Sequence, residues 1–150
     1  MVPQMKNIRY IALMLTLTLS LHAADFTQEQ AARVARVIAF SMKSHPRQIE
    51  LDDAVSAMFL DNYLKALDVN RMMFTQADVA GFKKRYGDNL DDLTKAGNTT
   101  PSRVIYDVYL KRLSERHAIV QNLLKSKFDF SVTERFTAAR DKLPYPRDKT

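Results

Sequence analysis

"LDVNRMMFTQADVAGF", residues 67–82, decides the architecture. Asp68 and Asn70 carry short polar side chains that bond their own backbone, so 68–71 reads as a turn. Thr75 follows as an N-cap, with Asp78 at the reciprocal position of a capping box. Phe74 stands just before that cap and Val79 lies one turn inside it, the spacing of a hydrophobic staple. One short run therefore stops a helix, turns the chain and starts another helix. It contains no nucleophile motif, no metal-ligand set and no phosphate loop.

The segments on either side read as helices too. Upstream, "LDDAVSAMFLDNYLKALD" (51–68) opens with Asp52 or Asp53 as N-cap, where the helix dipole favours negative charge. Leu51, Ala54, Val55, Met58, Phe59, Tyr63, Leu64 and Leu67 recur at helical spacing, and 52–68 reads as the strongest amphipathic helix. Before it, Thr27 and Gln30 form a second capping box and predict a helix over 27–44, which Pro46 closes. Arg33, Arg36 and Lys43 fall on its solvent side. Downstream, the spacing predicts a helix over 75–95, bent near Gly87, with Gly97 as the residue just past its end. Thr100 then caps and Pro101 opens a long helix over 101–126, with apolar residues at 104/105, 108/109, 113, 120 and 123/124. "FDFSV" (128–132) alternates apolar and polar, an extended pattern. The remainder, 134–150, holds prolines and basic residues and no closing hydrophobic element. The expectation is an all-α domain of about four helices with an extended C-terminal segment.

Composition agrees. The 150 residues suffice for one domain with a modest core. Only 3 Gly and 5 Pro are present, few for an all-β protein with many tight turns. The absence of cysteine removes disulfides, thiolate catalysis and Cys-ligated metals from consideration.

Lys6 and Arg9, then the uncharged run "IALMLTLTLSL" (11–21), then "HAAD" (22–25), are the three regions of a secretory signal. That run spans roughly 16 Å as a helix, about half a hydrocarbon core, so a cleaved leader fits better than a membrane anchor. The leader is expected to be 1–23, cleaved after Ala23 or Ala24, leaving 24–150 as the exported domain. Its loss takes Lys6 and Arg9 and no acidic residue, so 23 Lys+Arg become 21 against 17 Asp+Glu, a net +4. That excess is spread along the chain, whereas nucleic-acid binding needs clustering.

Candidates for chemistry are few. His22 falls in the leader and His45 in a loop. His117 sits in the long helix with Leu113 and Gln121 at its helical neighbours, so no metal pair forms. Asp52/Asp53 reads as a helix cap and Asp91/Asp92 as a solvated face, since adjacent helical residues point apart. Ser41, Ser44, Ser56, Ser102, Ser114, Ser126 and Ser131 show no G-x-S-x-G elbow. No catalytic, cofactor-binding or metal-binding residue is assigned. Phe59, Tyr63, Phe74, Phe82, Tyr86, Tyr106 and Tyr109 lie mostly at core spacing; the functional reading of the same set is a groove for an extended peptide or another domain.

The ordered set from 45 to 82 resembles the N-terminal domain of the tail-specific, or carboxy-terminal processing, proteases. The residues that carry the likeness are "HPRQIELDD" (45–53), Tyr63-Leu64, Leu67-Asp68, Asn70-Arg71, Phe74, Asp78 and Phe82. "FDF" (128–130) also fits. Arg140, Lys142, Pro144 and Pro146 match an Arg-x-Lys-x-Pro-Trp-Pro tract, with Tyr145 in the place of Trp. The resemblance implies export to the periplasm and partner PDZ and Ser–Lys peptidase domains encoded later, so that this chain is a fragment and not an enzyme on its own. It further implies protein substrates or an adaptor as ligands. Two readings compete with this one: a free-standing exported helical protein that regulates a protease or binds peptides, and a small complete hydrolase.

Overall fold

The computed structural model describes residues 27–46, 50–131, 133, 135 and 137–148. Among them there is no strand. The helices in chain order are α1 (Gln28–Lys43), α2 (Asp53–Leu67), α3 (Gln76–Tyr86), α4 (Leu90–Ala96) and α5 (Thr100–Leu123). The all-α expectation holds. The expected leader and its cleavage point lie outside the described residues.

Local chemistry sets most boundaries as expected. Thr27 and Gln30 close a capping box on α1, and Asp52 caps α2 by accepting from the Val55 amide at 2.9 Å. Thr75 and Asp78 do the same for α3. The helix expected over 75–95 is instead two. Tyr86-Gly87-Asp88-Asn89 is a run of weak helix formers, and the Asn89 side-chain amide donates to the Arg85 carbonyl that the break frees (3.1 Å). Gly97 ends α4 in the left-handed region at φ 75°. Its amide donates to Thr94 and that of Asn98 to Leu93, a Schellman closure. At α5 the expected Thr100 cap is replaced: the Asn98 side chain accepts from the Thr100 amide at 3.0 Å, one residue before the buried Pro101.

The buried face of α2 also differs from the expected one. Ala54 and Met58 are exposed, while Ser56, Leu60 and Leu64 are buried. Those three lie one above another at i+4 spacing, and Leu67 continues the line. Leu60 and Leu64 join Phe74, Phe82 and Ile105 in the central cluster, with Tyr63, Leu67, Val79, Tyr86, Leu90, Val108 and Tyr109 packed around it. Phe74 and Phe82 meet edge to face at 5.6 Å between centroids, and Phe74 touches Tyr109 at 5.9 Å. The core therefore sits beneath the turn that links α2 to α3. α4 packs on α1 and on α2. "FDFSV" forms no strand over its described residues: the Asp129 carboxylate accepts both the Ser131 amide and hydroxyl, a local turn.

The outer parts of the fold are less covered. Val34, Val37, Ile38 and Phe40 of α1 are all exposed, Phe40 by 71%. So are Leu113, Val120, Leu123 and Leu124 along the second half of α5 and just past it.

The α1–α4 contact depends on Gly97. A Cβ added there would lie 2.5 Å from Arg36 Nη1 and 2.9 Å from the Ala32 carbonyl oxygen, on a backbone that L-residues avoid. Gly97→Ala is expected to lower the unfolding free energy by about 1–2 kcal/mol from backbone conformation alone, with the clash adding to that. Gly81→Ala, whose Cβ would meet nothing nearer than Arg85 at 4.0 Å, is expected to stabilise α3 by up to ~1 kcal/mol. Urea midpoints of the two variants should move in opposite directions.

Candidate functional site

The structure gathers polar chemistry at the corner between α2 and α3. Asp68 is buried at the C-terminal end of α2. Its Oδ1 accepts from the Met72 amide (2.8 Å), and its Oδ2 from those of Met73 (2.8 Å) and Phe74 (2.9 Å). One carboxylate thus satisfies three successive backbone donors in a turn that has no other ladder to join. The Arg71 amide closes the turn on the Asp68 carbonyl at 3.0 Å, and Arg71 itself takes φ 51°. Few non-glycine residues adopt that region without compensation.

The compensation comes from 143–146. Arg71 Nη1 donates to the Leu143 carbonyl at 2.8 Å, and the guanidinium lies over the Tyr145 ring, 5.3 Å from its centroid. The Gln76 amide donates to the Pro146 carbonyl (2.9 Å) and the Gln76 side chain to that of Tyr145 (2.8 Å). Gln76 is the first residue of α3, so its amide has no acceptor within its own helix. Tyr145 packs on the central cluster. Burial, reinforced by the nearby Asp68 charge and opposed by Arg71, pushes its phenol above the ordinary value. The sequence expectation of no closing hydrophobic element after 134 is therefore corrected: a turn at 140–143 delivers Tyr145 to the core.

A second lock joins the same corner to α5. Arg112 grips Asp78 with both ends of its guanidinium, Nε to Oδ2 and Nη2 to Oδ1, each at 2.8 Å, and gives Nη1 to Glu115 at 2.8 Å. Asp78 also accepts from the Thr75 amide and hydroxyl. Burial acts to raise the Asp78 pKa, but the bonds from Arg112 and Thr75 outweigh it and hold the carboxyl below 3.8.

The remaining candidates for chemistry take these places. Asp91, expected on a solvated face, is buried. Its Oδ1 accepts from the Ser56 hydroxyl (2.7 Å), the Ser56 oxygen accepts the Asp91 amide (2.8 Å), and Lys95 Nζ donates to Oδ2 (2.6 Å). The Lys95 bond, against burial and with help from Ser56, carries the Asp91 carboxyl below its usual range. Ser56 is wholly inaccessible, with its proton given to Asp91 and its oxygen receiving an amide, so it pins α4 to α2 and has no path to a substrate. Asp52 serves as a cap, as expected. His117 lies on the exposed side of α5, where Gln121 Nε2 stands 3.5 Å from its Nε2. Of the expected aromatic set, Phe74 and Phe82 are core and Tyr63 donates to the Ser102 carbonyl (3.0 Å), while Tyr106 is exposed. No group of three or more potential metal ligands occurs among the described residues, and no helix among them is long and apolar enough to cross a membrane.

These features define a small all-α domain organised by one turn, with Asp68, Arg71, Asp78 and Asp91 committed to holding helices and the 143–146 segment in place. Residues 37–150 match the model of the "Tail specific protease N-terminal domain", and the chain belongs to that family. It is 31% identical over 121 residues, 81% of its length, to the "Tail-specific protease" of Haemophilus influenzae. The chain spans 17% of the length of that relative.

Acid should attack the two carboxylate locks. Both Asp78 and Asp91 have folded-state pKa values below the ordinary 3.8. Their contribution is therefore complete above the unfolded value and is lost as pH falls through it toward the folded one. Thermal midpoints are expected to hold above pH 5 and to drop below about pH 4. Asp78→Asn is expected to cost about 3 kcal/mol at pH 7, by leaving Arg112 half-paired in a mostly buried position, and to flatten the acid limb measured by circular dichroism.

Proposed function

We propose that this domain is a non-catalytic docking module of an exported, serine-type tail-specific protease, working in the periplasm on proteins presented by their C-terminal tails. The observation that carries the reading is the uncovered apolar surface: Val34, Val37, Ile38 and Phe40 on α1, and Leu113, Val120, Leu123 and Leu124 at the far end of α5. Apolar side chains ranged along two helices around a well-locked centre suit contact with neighbouring domains or with a protein substrate. The nucleophile and its lysine base belong, on this reading, to a peptidase domain that the family shares and that lies beyond these residues. The commitment of Ser56, Asp91 and Lys95 to one another supports that assignment, because it leaves this buried hydroxyl with no path to a substrate.

A chimera tests it. Residues 37–148 are exchanged for the matching part of the Haemophilus influenzae relative, and processing of a folded protein with an apolar C-terminal tail is compared with cleavage of a short peptide of the same tail. The exchange is expected to preserve both rates. Val37→Glu with Phe40→Glu in the chimera should slow protein processing about tenfold, ~1.4 kcal/mol, while peptide cleavage stays unchanged. Equal loss of both rates, or of neither, defeats the docking role. Peptide turnover by the isolated 24–150 chain would overturn the non-catalytic assignment.

A further inference from the structure

We propose that residues 68–76 form a receptor for a proline-flanked aromatic segment, and that in this chain the receptor is filled by residues 143–146 as a clasp. The site takes the segment by its backbone carbonyls and one ring. Three donors, the Arg71 guanidinium, the Gln76 side chain and the Gln76 amide, meet the carbonyls of Leu143, Tyr145 and Pro146 at 2.8–2.9 Å. None of these contacts asks the segment for a backbone donor. Pro144 and Pro146 have none to give, and their rings restrict the chain before it docks. The ring between them is required to be aromatic because it meets a guanidinium on one side and the core on the other.

Part of the receptor rests on bonds that the segment does not supply. Asp68 fixes the amides of 72–74, which sets where Phe74 and Gln76 stand, and the seated segment then holds Arg71 at its positive φ. Gln76 at the first position of α3 leaves an outward amide that a carbonyl must satisfy. The ligand class is therefore an extended peptide of the form apolar–Pro–aromatic–Pro, recognised in the manner of polyproline segments in aromatic-lined grooves. Occupied by 143–146, the receptor clasps the chain that follows α5 back onto the corner, more than seventy positions from Arg71 in sequence. This seat does not depend on the protease role proposed above, and its test uses binding alone.

The full chain carrying Tyr145→Ala is titrated with the peptide acetyl-Lys-Leu-Pro-Tyr-Pro-Arg-amide and followed by amide chemical shifts. Saturable shifts are expected at Arg71 and Gln76. The wild-type chain should show none at the same concentrations, because its tethered segment outcompetes a free one. Adding Arg71→Gly keeps the turn, since glycine takes positive φ without strain, and is expected to weaken peptide binding about tenfold or more. A peptide with Leu in place of Tyr should fail to bind. A folded Tyr145→Ala chain that ignores the peptide, equal binding by the wild-type chain, or equal binding of the Leu peptide each overturns the proposal. Should Tyr145→Ala not fold, hydrogen exchange in the wild-type chain decides: the Gln76 amide is protected if the clasp is seated, and exchange at the free-peptide rate overturns it.

Discussion

The structure hangs on one carboxylate. Asp68 lies at the end of α2 with its two oxygens bonded to three consecutive amides, those of Met72, Met73 and Phe74. A buried charge is costly unless hydrogen bonds replace its water, and here they do. The arrangement fixes the direction in which the chain leaves α2. That direction places Phe74 at the centre of the core, Thr75 in position to cap α3, and Asp78 where Arg112 can grip it. Losing the carboxylate would free three buried or half-buried donors at once, and every later contact inherits its geometry from them.

The locks built on this corner differ in worth. The exposed pairs Arg33–Glu29 and Lys83–Asp61 contribute little, as is general for solvated ion pairs. The Arg112–Asp78 fork is mostly buried, bidentate and supported by Thr75 and Glu115, so its geometry is fixed before the charges meet. It does what apolar packing alone would leave loose. The cluster of Leu60, Leu64, Phe74, Phe82 and Ile105 supplies burial but little orientation, whereas the fork sets how α5 lies across α3. Ser56 and Asp91 perform the same service for α4 on α2.

What was legible in the sequence follows from range. Caps and turns depend on residues three or four apart, and Thr27/Gln30, Asp52, Thr75/Asp78 and Gly97 stand where their chemistry puts them. The helix break at Gly87 was half legible: glycine weakens a helix, but Asn89 returning to the Arg85 carbonyl makes the weak point an end. On α2 periodicity offers two nearby stripes, and Asp91, thirty-five positions away, selects the one through Ser56. For the same reason Asp91 could not be told from its solvated neighbour Asp92. The seating of Tyr145 was hidden by its flanking prolines, which read as a loop when judged locally. Arg71 held the available signal: a long cation in a turn, where Asn or Gly is easier, needs a partner to justify its place.

Burial is concentrated where these constraints meet and thins quickly outward. α1 reaches the rest of the fold through Ala39 and the close approach of Arg36 and Ala32 to Gly97, and it leaves Val34, Val37, Ile38 and Phe40 bare. The second half of α5 leaves the core after Tyr109 and the Arg112 fork, with Leu113, Val120 and Leu123 uncovered. Helices attached on one side open at lower free energy than the centre that holds them. A partner that covered either face would add apolar burial to a frame whose angles are already set, and would lose little entropy in aligning it. A corner this tightly bonded holds the two bare faces at fixed angles to the centre, because Asp68, Asp78 and Asp91 each tie one element to the next.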